Sequence, residues 1–230
     1  MRNIGLSTFM FFVFTACVYG DTISVWNFND AIPGTTGGVQ EFQVDYGSGI
    51  MTSDFISSNI SNSTCSTVNS QSGDPAGQAL LLSSYANNGS SLTWMSSTAG
   101  FNSIDVSFAT RRTSTGFSDN QFLYSTDSGA SWISFGFPYN PSTSFALQHF
   151  DLSGIQKINN NPEAGFRIVF SGATSSSGNN RIDNLVISAA SIIPPGSTPV
   201  PEPSTITLIM LGLALCMLGL NLKPMRSVNQ

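Results

Sequence analysis

Apolar and polar residues alternate one by one along the middle of this 230-residue chain. That period of two admits strands and excludes amphipathic helices. Residues 40–46 place Phe42, Val44 and Tyr46 on one face, with Glu41, Gln43 and Asp45 opposite. Residues 103–111 turn Ile104, Val106 and Phe108 inward and Ser103, Asp105, Ser107 and Arg111 outward. Phe166, Ile168 and Phe170 alternate with Arg167 and Val169. Further strands are expected at 22–28, 79–82, 91–95, 120–125, 130–135, 145–152 and 181–188, separated by Gly, Asn and Ser clusters. No segment of the body has ten residues of helical period. Roughly ten short strands predict an all-β fold, a two-sheet antiparallel sandwich of jelly-roll type.

The two ends read differently. Met1 and Arg2 precede an apolar run, FMFFVFTACVYG, that closes at Gly20. One positive charge, about ten apolar residues and small residues at the end describe a secretory signal, with cleavage between Gly20 and Asp21. Processing as a lipoprotein at Cys17 is the lesser alternative, because Phe14 stands where such sites carry Leu. At the other end, residues 191–205 hold five prolines, a composition that makes an extended linker. Residues 206–222 then carry no charge, a transmembrane helix only just long enough for a bilayer core. Lys223 and Arg226 lie in the basic tail, 223–230, which should keep that end cytoplasmic. Export through the Sec translocon then leaves the body, 21–190, on the far side of the membrane.

The tail, Val200-Pro201-Glu202-Pro203-Ser204 followed by the apolar segment and the basic end, resembles the PEP-CTERM sorting signal. The resemblance covers residues 199–226 and implies a partner, an exosortase-type membrane protease. Such an enzyme would recognise the Pro-Glu-Pro motif, remove the helix and release or re-attach the protein outside. It also implies a Gram-negative-type envelope with exopolysaccharide. An uncleaved single-pass anchor is the alternative.

Charge excludes one class of function. The body holds five cations (Arg111, Arg112, Lys157, Arg167 and Arg181) against twelve acids, a net of −7. Nucleic-acid binding through a basic stripe is therefore not expected. At about 170 residues the body buries roughly 70% of its unfolded surface and needs no disulfide. Indeed only Cys65 falls within it, in a polar run at 57–72 that reads as a long surface loop.

Residues 125–132, STDSGASW, resemble the Asp-box hairpin known from sialidase-type propellers. There is one copy and no internal repeat, so the expected role is a turn staple: Asp127 accepts turn amides, Gly129 takes positive φ, and Trp132 packs back. Residues 178–187 resemble the closing strand of secreted jelly rolls, where first and last strands are neighbours and a structural calcium can sit. Asp183, Asn184, Asn27 and Asp30 would offer oxygen ligands. The alternative is that Asp183 pairs with Arg181 or Arg167 on a solvated face.

Catalysis needs a matched set of groups that this chain lacks. His149 is the single histidine, no Gly-x-Ser-x-Gly elbow exists, and the body holds two glutamates, Glu41 and Glu163. No enzyme and no cofactor are expected, and His149 reads as a strand residue bonded to a neighbour. Two functions remain: a structural or adhesive component of the extracellular matrix, and a carbohydrate-binding module of the exopolysaccharide. The second requires exposed rings drawn from Trp26, Trp94, Trp132, Tyr85, Tyr124 and Tyr139.

Overall fold

The computed structural model describes residues 20–30, 39–71, 74 and 77–192. In chain order the strands are β1 (Asp21–Trp26), β2 (Gln40–Phe42), β3 (Tyr46–Gly47), β4 (Ile50–Ser53), β5 (Ile60–Thr64), β6 (Gln78–Ser83) and β7 (Ser91–Met95). They continue with β8 (Phe101–Arg112), β9 (Asp119–Ser125), β10 (Ile133–Ser134), β11 (Ala146–Asp151), β12 (Gly165–Ser171) and β13 (Asn179–Ser191). Three single 3₁₀ turns are the helical content of the described residues.

All pairings are antiparallel, and they make two sheets, six-stranded (β10-β9-β12-β7-β4-β2) and seven-stranded. β13 organises the larger one. One edge pairs with β8, and the other is shared, first by β6 at Asn179–Ile182 and then by β1 at Leu185–Ala189. The first and last strands are thus neighbours, as the closing-strand resemblance implies. β11 continues the sheet beyond β8, β3 beyond β1, and β5 beyond β6.

The facing sides of the sheets hold the core. Ile104, Val106 and Phe108 are fully buried, as are Phe166 and Ile168. Phe122 of β9 stacks on Phe150 of β11 at 3.9 Å between centroids and 7° between planes, joining the two sheets. Trp94 stacks on Phe166 at 6.1 Å, and Phe55, Phe117 and Phe170 meet edge to face at 5.5–5.8 Å. Each such ring contributes about 1.5–3 kcal/mol of burial.

The structure corrects three local expectations. Residues 40–46 are not one strand: the chain leaves the six-stranded sheet after Phe42 and enters the other at Tyr46. Phe42 is therefore 5% exposed and Tyr46 61%. Second, the 57–72 run contains β5, whose polar side chains hid its period because it is an edge strand paired with β6 alone. Third, the strand expected at 130–135 shrinks to Ile133–Ser134, since the preceding residues form the Asp-box turn. β4 was without a sequence signal.

The signal segment before Gly20, the linker from 193 onward, the sorting motif, the apolar segment 206–222, Lys223 and Arg226 lie outside the described residues. Among the described residues no helix is long and apolar enough to cross a membrane. β1 begins at Asp21, paired with Ala189, and Gly20 is exposed just before it.

Candidate functional site

The outer side of the seven-stranded sheet carries the densest polar chemistry. Its centre is the break in β13 where β6 ends and β1 begins. There Asn184 adopts φ +50°, a conformation Asn tolerates, and the register with β8 shifts between Asp183 and Val186. The turn at residues 66–69 fills the break. The Ser66 N–H donates to Asp183 Oδ2 (2.6 Å), and the Asn184 N–H donates to Asp183 Oδ1 (2.9 Å). Asn184 Nδ2 donates to the Ser66 and Val68 carbonyls at 3.0 and 2.9 Å. Asn69 Nδ2 reaches the Asn184 carbonyl at 2.8 Å and Ser107 Oγ at 3.1 Å. Asp183 is 1% exposed. Burial pushes its carboxyl up to about 6, against the lowering effect of the two amides.

This arrangement overturns the solvated-face reading of Asp183: the side chain is buried and pairs with no arginine among the described residues. Its oxygens face backbone amides, so it serves as a latch for the turn. The other calcium candidates have local tasks too. Asn27 Oδ1 accepts the Asn29 N–H at 3.0 Å, while the Asn27 N–H donates to Asp45 Oδ2 at 2.6 Å. The Asp30 carbonyl accepts Asn62 Nδ2 at 3.0 Å. Among the described residues no group of three or more His, Cys, Asp or Glu side chains is placed to hold a metal ion. An open groove of about 680 Å³ runs beside β1, lined by Asp21, Asn27, Asp45, Tyr46, Gln71 and Asp74. Burial raises the Asp45 carboxyl, and the charges of Asp30 and Asp74 add to that effect.

His149 stands on β11, half exposed, with Nε2 bonded to Asp105 of β8. Burial raises the Asp105 carboxyl, partly offset by the bond to His149. Ser107, opposite His149, is bonded to Asn69. His149 is the strand histidine with a neighbour that the sequence suggested.

Next along the same face, Arg181 of β13 lies directly opposite Arg111 of β8 and Leu81 of β6. Arg111 sits over the Phe145 ring at 5.9 Å. Neither guanidinium meets a carboxylate among the described residues.

The rings do not form a platform. Trp26 and Trp94 are fully buried, and Tyr124 is 9% exposed. Tyr139 packs on Phe108 and Phe150, and burial raises its phenol. Trp132 carries the Arg167 guanidinium 4.0 Å from its ring centre, and Arg167 Nε donates to Thr93 Oγ1 at 2.9 Å. Of the six, Tyr85 is the one plainly exposed. The other exposed rings among the described residues, Tyr46 and Phe137, stand on different elements, β3 and the loop after β10.

The 125–132 hairpin is a closed hydrogen-bond system. Asp127 Oδ1 accepts the Ser131 N–H (2.9 Å) and the Ser125 hydroxyl (2.7 Å), and Oδ2 accepts the Ser131 hydroxyl. These bonds, the Ser131 hydroxyl foremost, draw the exposed carboxyl down to about 2. Gly129 takes φ +81°, and an added Cβ would come within 3.2 Å of Trp132 Cζ2. Asp127, Gly129 and Trp132 thus act within the turn. The residues that sequence reasoning missed are Ser66, Val68 and Asn69, because a polar turn carries no mark of the strand it will fill.

Comparison with known proteins adds two findings. A family model described as the PEP-CTERM protein-sorting motif matches residues 199–226. A search of curated proteins finds no match. Among solved structures, the chain is similar to the CBM22-1 xylan-binding domain of Paenibacillus barcinonensis Xyn10C (10% identity, TM-score 0.46), covering 77% of this chain and 100% of that one. It is also similar to a CBM29-2 carbohydrate-binding module mutant (13% identity, TM-score 0.41), covering 75% and 88%.

Proposed function

We propose that this chain is an exported structural or adhesive protein of the cell surface or extracellular matrix, sorted through its PEP-CTERM tail and without catalysis of its own. The match of the sorting motif to residues 199–226 carries the reading. The described body supports it: Asp183 and Asn184 hold a turn to β13, and Asp127 closes its own hairpin turn. The motif would present Pro201-Glu202-Pro203 in extended form at the membrane surface, where an exosortase-type protease removes the apolar segment. Recognition of neutral sugars by stacked rings is the weaker reading, because Trp26, Trp94 and Tyr124 are core side chains and Trp132 carries Arg167.

The test is fractionation of an epitope-tagged full chain against Pro201→Ala, Glu202→Gln, Pro203→Ala. The wild type should leave the inner membrane for the cell exterior, and the triple variant should stay in the membrane with residues 206–230 retained. Equal distribution of the two would remove the sorting reading.

A further inference from the structure

The row of residues across the outer side of the larger sheet at Arg181 runs Ser61, Leu81, Arg181, Arg111 along four adjacent strands, β5, β6, β13 and β8. Phe145 extends it just before β11. Directly opposed like charges destabilise a sheet, and a body with twelve acids had ample means to pair either arginine. It did not. Arg181 Nε is shielded from solvent and has no acceptor among the described residues. The nearest acid along β13, Asp183, is turned to the Ser66 and Asn184 amides. Burial and the charge of Arg111 lower the Arg181 pKa.

The other two arginines of the body make the contrast. Arg112 donates to Asn140 Oδ1 at 2.7 Å and to the carbonyls of Pro141, Thr113 and Ser114 at 3.0–3.1 Å. Arg167 is stacked on Trp132 and bonded to Thr93. Arg111 and Arg181 are thus two adjacent planar guanidinium groups that make no hydrogen bond among the described residues, a group type that receives carboxylates. Apolar side chains border them: Leu81 on one side, Phe145 on the other, and Leu147, 55% exposed, one row further along β11. The row is at least partly exposed from Ser61 to Phe145 and crosses four strands, which suits an extended polymer lying across them.

We propose that Arg111 and Arg181 form a docking site for the carboxylates of an acidic, uronate-containing polysaccharide. The proposal deepens the matrix reading and rests on it for the presence of polysaccharide. Each carboxylate accepts guanidinium Nη–H bonds, and the apolar border receives the C–H faces of the sugar rings. Binding neutralises the opposed charges, so ligand and fold stabilise one another.

The experiment uses the full chain in detergent micelles, with polygalacturonate as probe, neutral dextran as control polymer, and micelles carrying phosphatidylglycerol as a competing anion. Wild type should bind polygalacturonate, weaken as salt rises, ignore dextran, and gain thermal stability on binding. Arg111→Gln/Arg181→Gln should weaken binding by about tenfold or more, whereas Lys157→Gln, which removes one positive charge elsewhere, should not. Arg181→Lys keeps the charge but loses the fork, and should fall between. Unliganded Arg181→Gln should melt no lower than wild type, since it relieves a like-charge pair; if the double variant does not fold, the Arg111→Gln and Arg181→Lys binding ratios decide. No polygalacturonate binding, equal binding by the double variant, equal affinity for dextran, or preference for phosphatidylglycerol would each overturn the site. None of these results touches tail processing, so failure here and failure of export are separable.

Discussion

Asp183 and Asp127 each receive a backbone N–H from a turn, one buried and the other in open water. At Asp183 the carboxylate has been removed from solvent, and two amides do not replace the lost hydration, so its proton is held up to about pH 6. At Asp127 hydration is kept, and the Ser131 and Ser125 bonds are added to it, so its proton leaves at about pH 2. Hydrogen bonds favour the ionised form at both sites, yet the net shifts are opposite, with burial deciding the sign at Asp183. It follows that the inner carboxylate matters through what its removal leaves unpaired, and the outer one through the shape of a turn.

The largest expected effect is at the inner site. Asp183→Ala leaves the Ser66 and Asn184 amides without their acceptor in a dry break of the sheet, at a cost of about 2–4 kcal/mol. Chemical denaturation of the full chain measures it, and a loss comparable to that at Asp127 would break the contrast. The pH dependence comes next. Asp183 has a folded value of about 6 against 3.8 unfolded, so the folded state binds the proton more tightly. Stability should therefore fall as pH rises from about 4 to 6, by about 3 kcal/mol at most from Asp183, and the slope should become shallower in the Asp183→Ala chain, leaving the part due to the raised Asp45 and Asp105 carboxyls. Asp127 behaves in reverse: its contribution is complete above about 4 and disappears as pH falls through about 2. Denaturation midpoints between pH 2 and 7 for wild type and both alanine variants separate the two windows.

A smaller effect sharpens the outer case. Gly129→Ala forces a side chain to φ +81° and against Trp132, for about 1–2 kcal/mol. Asp127→Ala should lower the melting temperature less than Gly129→Ala does, because water takes up the amides that it frees. If the order is reversed, the hairpin depends on its hydrogen bonds more than on its backbone geometry.

What could be read beforehand divides along the same line. Strands with a buried apolar face, such as Phe166–Ile168–Phe170 on β12 and Ile104–Val106–Phe108 on β8, declare themselves, because one face must avoid water and the pleat fixes the period. The Asp-box turn was legible for the same local reason: donors, acceptors and the positive-φ glycine lie within eight residues. Asp183 was not, since its partner Ser66 is 117 residues distant and carries only a backbone amide to the contact. Edge strand β5 and the sheet change between Phe42 and Tyr46 were hidden because their surroundings, not their own periods, assign their faces. The sorting tail was legible outright, as motif, apolar run and basic residues stand contiguously at 199–226.

The most direct test of the central claim is the intact mass of the protein recovered from its native envelope and surroundings. Sorting through the tail predicts a dominant extracellular species that lacks residues 206–230. A dominant species that retains them, or a chain confined to the cytosol, would contradict it.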